Sequence, residues 1–230
     1  MIITNSTPDT YYFNQLIAFL MSIKINSPKH ISQVKVFLAN FPCDLENRLK
    51  KAFVEVTFEN NSLEMIDERG FSLIIDRTFR VFDCLKKFKD QVLWLDTDII
   101  VRGDLSELIE IQPKQLKILY RKGASEESRI NAGVFNIGYS QESCDFIDDW
   151  HQRVISNAEW GKGQLELWRS FKRHRDNIEL VDITKKYNSV GRHFYPDFVI
   201  WHCKMKHFKE PKYQKEYKVY LKKAKKLLKS

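Results

Sequence analysis

The chain has 230 residues, 43% of them apolar and 30% charged, which suits one α/β domain with a sizeable core and argues against disorder except near the ends. The net charge of +8 suggests nucleic acid until it is mapped. Residues 212–230 hold eight lysines (Lys212, Lys215, Lys218, Lys222, Lys223, Lys225, Lys226, Lys229) against Glu216, a balance of +7, so the other 211 residues carry about +1 and give no basic body surface for nucleic acid.

Cys43, Cys84, Cys144 and Cys203 make no CxxC pair and no zinc spacing. The sequence opens on Met1-Ile2-Ile3 without a basic leader, and no apolar run approaches ~18 residues. The expectation is a cytoplasmic protein with four reduced thiols, free or peripheral on the inner face of a membrane.

In chain order, Met1–Thr4 reads as a short buried strand. Thr7-Pro8-Asp9 reads as a helix start, with a capping hydroxyl and proline in the first turn. The helix after it, about Tyr11–Ile25, is apolar on most faces and predicts burial. Val34–Leu38 predicts a strand, Leu45–Phe53 a short helix, Val54–Phe58 a third strand, Ile74–Phe88 a helix and Val92–Leu95 a short apolar strand. Strands alternating with helices predict βαβ units and a mostly parallel central sheet flanked by helices, with ligands at the carboxyl ends of its strands.

The most informative stretch is Val92-Leu93-Trp94-Leu95-Asp96-Thr97-Asp98-Ile99-Ile100-Val101. In extended backbone, residues i and i+2 point the same way, so Asp96 and Asp98 aim two carboxylates at one place. Apolar flanks keep them from full exposure. Two close, partly buried anions are costly unless a cation lies between them, and oxygen ligands favour Mg²⁺ or Mn²⁺. Such a cation has positions left for a diphosphate and can offset the charge of a departing nucleotide. A polar turn between two strands is the plainer reading of the same residues.

Extended to Trp94-Leu95-Asp96-Thr97-Asp98-Ile99-Ile100-Val101-Arg102-Gly103-Asp104-Leu105, the stretch resembles the signature of family 8 glycosyltransferases, the glycogenin and lipopolysaccharide galactosyltransferase group. The resemblance implies a GT-A nucleotide-diphospho-sugar transferase fold over residues 1–210, Mn²⁺ and a UDP-sugar donor. It implies a hexosyltransferase acting on a glycan or lipid-linked saccharide, with retention expected and stereochemistry left open.

The same resemblance extends residue by residue. Ile130-Asn131-Ala132-Gly133-Val134 is similar to the family's Phe-Asn-Ala-Gly-Val strand, which implies Asn131 near the donor sugar. His202, after Val199-Ile200-Trp201, matches the family's late histidine and becomes the third metal ligand beside Asp96 and Asp98; a packed side chain is the alternative. The family's glycine and Lys-Pro-Trp after that histidine are absent, and Lys206 is the expected diphosphate contact among Lys204, Lys206 and Lys209. Arg80 matches a donor-reaching arginine, or pairs with Asp83. Thr4, Asn5 and Tyr11 correspond to base and ribose contacts, and Thr97 completes the donor loop. Gln164 matches the glutamine of an Asp-Gln pair whose aspartate is replaced by Gly163, so Asp98, Asn131 and Gln164 form the expected catalytic set. Lys186-Tyr187-Asn188 resembles a pair ahead of the histidine.

Two other classes stay open. A haloacid-dehalogenase-type phosphatase would use Asp96 as nucleophile. A non-catalytic module would bind nucleotide sugars, or membranes through residues 211–230. There Tyr213, Tyr217, Tyr220, Leu221, Ala224, Leu227 and Leu228 recur at helical spacing with lysines opposite them. That basic amphipathic helix either lies on an anionic membrane or packs its stripe on the body.

Overall fold

The structure is a computed structural model that describes residues 1–64, 71–157, 162–190, 197–202 and 210–230. The chain runs through β1 (Ile2–Ser6), α1 (Thr10–Asn26), β2 (Val34–Ala39), α2 (Cys43–Ala52), β3 (Thr57–Asn61), α3 (Phe71–Phe88) and β4 (Val92–Leu95). There follow β5 (Ile99–Val101), α4 (Ser106–Ile109), β6 (Gln115–Tyr120), β7 (Ile130–Ile137), α5 (Gln141–Ser156) and α6 (Gly163–His174). The last elements are β8 (Glu179–Asp182), β9 (Ser189–Val190), β10 (Ile200–His202) and α7 (Pro211–Leu227). Seven strands form a mostly parallel sheet in the order β3-β2-β1-β4-β7-β6-β8, flanked by helices, and β5-β10-β9 form a second, smaller sheet. This is the α/β architecture expected from the alternation of strands and helices.

The chain divides into two compact units. A central unit comprises Met1, Leu63–Trp94 and Leu108–Thr184, and a terminal unit comprises Ile2–Ser62, Leu95–Glu107 and Lys185–Ser230. In the terminal unit, β1 pairs in parallel with β2, and β2 with β3. Gln15 to Ile23 of α1 are all buried, as its apolar faces predict. Helix α7 packs on α1 and sends Tyr213 and Tyr217 into a core with Ala18, Ile100, Phe198 and Trp201. The apolar stripe of the basic segment is thus packed inside this unit, and most of its lysines face outward.

Two local expectations are corrected. Asp9, not Thr7, caps α1: its carboxylate accepts from the Tyr11 N–H at 2.8 Å, and Pro8 stands before the helix rather than in its first turn. The third strand starts at Thr57, not Val54. The Phe53 N–H still bonds to Leu49 of α2, Val56 turns back onto Phe53, and Val54 is 75% exposed. The true strand, Thr-Phe-Glu-Asn-Asn, is a polar sheet edge, held by a Lys35–Glu59 ion pair at 2.6 Å and by Asn60 bonding both backbone groups of Phe41.

In the central unit, all eight residues of β7 are buried. It pairs antiparallel with β6, and a register shift between Ile118 and Leu119 marks a bulge at Ala132–Val134. β6 pairs in parallel with β8. Cys43, Cys84 and Cys144 are reduced, and Cys203 lies outside the described residues. Among the described residues no helix is long and apolar enough to cross a membrane.

Candidate metal centre

The four residues of β4 are all buried and deliver the chain to Asp96 at the strand's carboxyl end. The backbone then turns at Thr97 and Asp98 before β5, whose three residues are also buried. Here the expected geometry is corrected. Asp96 and Asp98 converge across a turn, not by the i, i+2 alternation of one continuous strand. The turn matters because it lets a third group enter from another segment.

That group is His202. β10 pairs antiparallel with β5, with His202 opposite Ile99, the residue after Asp98. The His202 Nε2 atom lies 3.1 Å from Asp98 Oδ1 and 3.8 Å from Asp96 Oδ2. One ligand atom from each of the three residues fits within 4.8 Å of the others, the only such cluster among the described residues. The imidazole is wholly buried, whereas the two carboxylates keep 23% and 21% of their side-chain surface, so the corner is closed on the histidine side and open on the acid side.

The chemistry of this donor set fits a cation. His202 Nδ1 lies 3.0 Å from Asn188 Oδ1, an acceptor. With that acceptor on Nδ1–H, a neutral imidazole presents its Nε2 lone pair to the carboxylates. Nε2 is shielded from water and makes no hydrogen bond of good geometry among the described residues, although a carboxylate oxygen lies 3.1 Å away. A buried nitrogen lone pair facing two anions is unfavourable by itself. A divalent ion between them would turn three repelling donors into three ligands, with mixed N and O character suited to Mn²⁺.

The supports of this corner come from the same unit. The Lys186 carbonyl accepts from the Val199 N–H at 2.7 Å, which holds the segment before β10 against the one before β9. Lys186 also pairs with Glu107 at 2.7 Å, and Tyr187 donates to the same carboxylate at 2.5 Å. Asp104, in the Gly-Asp-Leu turn, caps α4 by accepting from the Ser106 N–H at 3.0 Å. Lys29 and that backbone N–H hold its carboxyl far below the usual range.

The other expected site residues fall into two groups. In the terminal unit, Thr4 is fully buried in β1, Asn5 follows it, and Tyr11 in the first turn of α1 is 43% exposed with its ring edge-on to Tyr12. In the central unit, Arg80 pairs with Asp76 at 2.9 Å, one turn earlier on α3, rather than with Asp83. Asn131 and Gln164 come together at the β7 bulge. Asn131 Oδ1 accepts from the Gly133 N–H at 3.0 Å, Gln164 Oε1 accepts from the Ala132 N–H at 3.3 Å, and Gln164 Nε2 donates to the Glu127 carbonyl at 2.6 Å. Both amides thus brace the bulge. At Gly163, a Cβ would stand 2.7 Å from Ile74 Cγ2, which explains why no larger residue precedes Gln164 here. Lys206 lies outside the described residues. Tyr213, which the sequence marks only as one of a helical stripe, donates its hydroxyl to the Asp98 carbonyl at 3.1 Å.

No protein-family model and no curated protein matches the chain. Its fold does match solved structures. It is similar to the glycosyltransferase GlyE of Streptococcus pneumoniae TIGR4, with a TM-score of 0.64 and 18% identity over 96% of this chain. The apo form of GlyE matches with a TM-score of 0.62 and 19% identity over 98% of this chain. The chain spans 63% of the length of each of these structures. At this identity the likeness establishes a glycosyltransferase-type fold.

Proposed function

We propose that this protein is a metal-dependent glycosyltransferase that moves a hexose from a nucleotide-diphosphate sugar, a UDP-sugar, to a saccharide or lipid-linked saccharide. The observation that carries the reading is the buried Nε2 of His202, aimed at the two carboxylates that end β4. The fold likeness to glycosyltransferases favours sugar transfer over the phosphatase alternative.

Asp96, Asp98 and His202 would hold Mn²⁺ or Mg²⁺, which offsets the negative charge of the leaving nucleotide diphosphate when bound. Asn188 keeps the His202 lone pair facing the ion. The partial exposure of the two acids leaves the ligand side open for the diphosphate, with Thr97 beside it. Tyr11 offers an exposed ring for a base, and Thr4 and Asn5, in the second half of β1 with Thr4 fully buried, are ribose and base contacts by resemblance alone. Arg80, Lys206, Asn131 and Gln164 are proposed donor and sugar contacts by resemblance alone. The outward lysines of α7 would let the enzyme meet an anionic membrane that carries its acceptor.

The test is a thermal-shift series over UDP-, GDP- and ADP-sugars with and without Mn²⁺. A ligand at 100 times its Kd adds about 2.7 kcal/mol to the folded state, roughly 5–11 °C for a chain of this size. A shift that requires both Mn²⁺ and a nucleotide sugar is expected. Equal melting points in all conditions would refute the proposal.

A further inference from the structure

The loop that carries Asp98 is a turn, and a turn alone does not hold a carboxylate in one direction. Its carbonyl is held from outside the loop, by the hydroxyl of Tyr213 at 3.1 Å on the first turn of α7. Tyr213 is 1% exposed, so its side chain is held in the packed interior of the unit. The ring of Tyr213 meets the Trp201 ring edge-to-face at 5.3 Å and 90°, and lies parallel to Tyr217 at 6.0 Å and 13°. Trp201 is the residue before His202 and is registered against Ile100 of β5. One side chain therefore touches the peptide that follows Asp98 and the neighbour of His202. Because strand residues alternate faces, fixing Trp201 on one face of the small sheet fixes His202 on the other.

From this geometry we infer that Tyr213 is a positioning residue for the Asp96, Asp98 and His202 centre, and that α7 works as a brace on that centre through one hydrogen bond. The inference rests on the metal-binding reading above. Its hydroxyl orients the Asp98–Ile99 peptide plane, and that plane sets the direction in which the Asp98 carboxylate leaves the backbone. Outer groups of this kind typically change metal affinity by 10- to 100-fold when removed. An effect transmitted through a peptide plane belongs at the low end of that range.

The experiment titrates Mn²⁺ into the full chain and follows the free ion by electron paramagnetic resonance. The variants are Tyr213→Phe, Tyr217→Phe and Asp98→Asn. Tyr213→Phe keeps the ring that packs on Trp201 and loses only the donor. Tyr217→Phe alters the same helix without touching the Asp98 carbonyl. Expected is about a 10-fold weaker Kd for Tyr213→Phe, the wild-type Kd for Tyr217→Phe and no binding for Asp98→Asn. Donor-sugar hydrolysis by Tyr213→Phe should recover at high Mn²⁺, whereas that of Asp98→Asn should not. A wild-type Kd in Tyr213→Phe, or equal losses in both tyrosine variants, would overturn the positioning role while leaving the metal site intact. No Mn²⁺ binding by the wild-type chain would overturn the functional proposal and this inference together.

Discussion

Among the described residues, Asp149 and Glu166 with His174 in the central unit can be set beside Asp96 and Asp98 with His202 in the terminal unit, and their surroundings differ. In the central unit, Asp149 and Glu166 meet guanidinium groups. Arg153 lies 2.9 Å from Asp149 and 3.6 Å from Glu166, Arg169 lies 2.7 Å from Glu166, and Arg173 lies 3.6 Å from Asp149. Burial pushes the Asp149 carboxyl up, but Ser170 and Arg153 more than offset it and bring it below its ordinary value. Those acids are neutralised by the chain itself and serve to join α5 to α6. In the terminal unit, Asp96 and Asp98 face a buried imidazole whose Nδ1 is already turned to Asn188. The first arrangement has its charge balanced by guanidinium groups of the chain itself, although Glu166 Oε2 makes no hydrogen bond among the described residues. The second has no guanidinium against its acids among the ion pairs of the described residues, and under the proposed function a divalent cation would supply the balancing positive charge.

That contrast predicts opposite outcomes for similar substitutions. Asp98→Asn should lower metal-dependent transfer by on the order of a thousandfold, about 4 kcal/mol, because a charged ligand is lost where leaving-group charge develops. The same change should leave the metal-free melting point within about 2 °C or raise it, since it relieves a like-charge pair. Steady-state transfer assays and metal-free calorimetry check the two halves. Glu166→Gln should do the reverse. It leaves Arg153 and Arg169 facing a neutral amide and costs about 3 kcal/mol, roughly 6–12 °C in melting point. Mn²⁺ affinity should not change, as a titration of that variant would test.

A smaller effect is expected at the partner of the imidazole. Asn188→Ala removes the acceptor that sets the His202 tautomer, and Mn²⁺ affinity should fall about 10-fold or more. Asn188→Asp restores an acceptor and should recover part of the loss. The smallest effect concerns α7. Burial, with Tyr11 nearby, pushes the Tyr217 phenol up to about 12 from 10.0. The unfolded chain loses this proton first, so the contribution of Tyr217 is whole below pH 10 and drains away between pH 10 and 12. Between pH 9 and 11 the wild type should lose about 1 kcal/mol more than Tyr217→Phe in denaturant titrations. Equal losses would mean that Tyr217 ionises as freely in the folded chain as in the unfolded one.

Much of this was legible in the residues because their signals are local. The buried run Val92–Leu95, its abrupt end in Asp96, and the return to apolar residues at Ile99 mark a strand, a site and a strand whatever surrounds them. The apolar faces of α1 foretold its burial for the same reason. The polar edge strand β3 was misplaced because the apolar pattern points to Val54, while sheet edges tolerate Glu59, Asn60 and Asn61. The brace at the β7 bulge was hidden because amides suited to a sugar are equally suited to a backbone.

From the order of residues alone came the kind of architecture, the acidic pair at the end of a buried strand, and the basic stripe as a helix with two faces. Tertiary structure alone decided that the pair meets across a turn, that Asn188 points the buried His202 toward it, and that the basic helix holds Asp98 through Tyr213. The reason is distance along the chain. Strand and helix periods act over a few residues, whereas Asp98, Asn188, His202 and Tyr213 become neighbours only when separate segments pack into one unit.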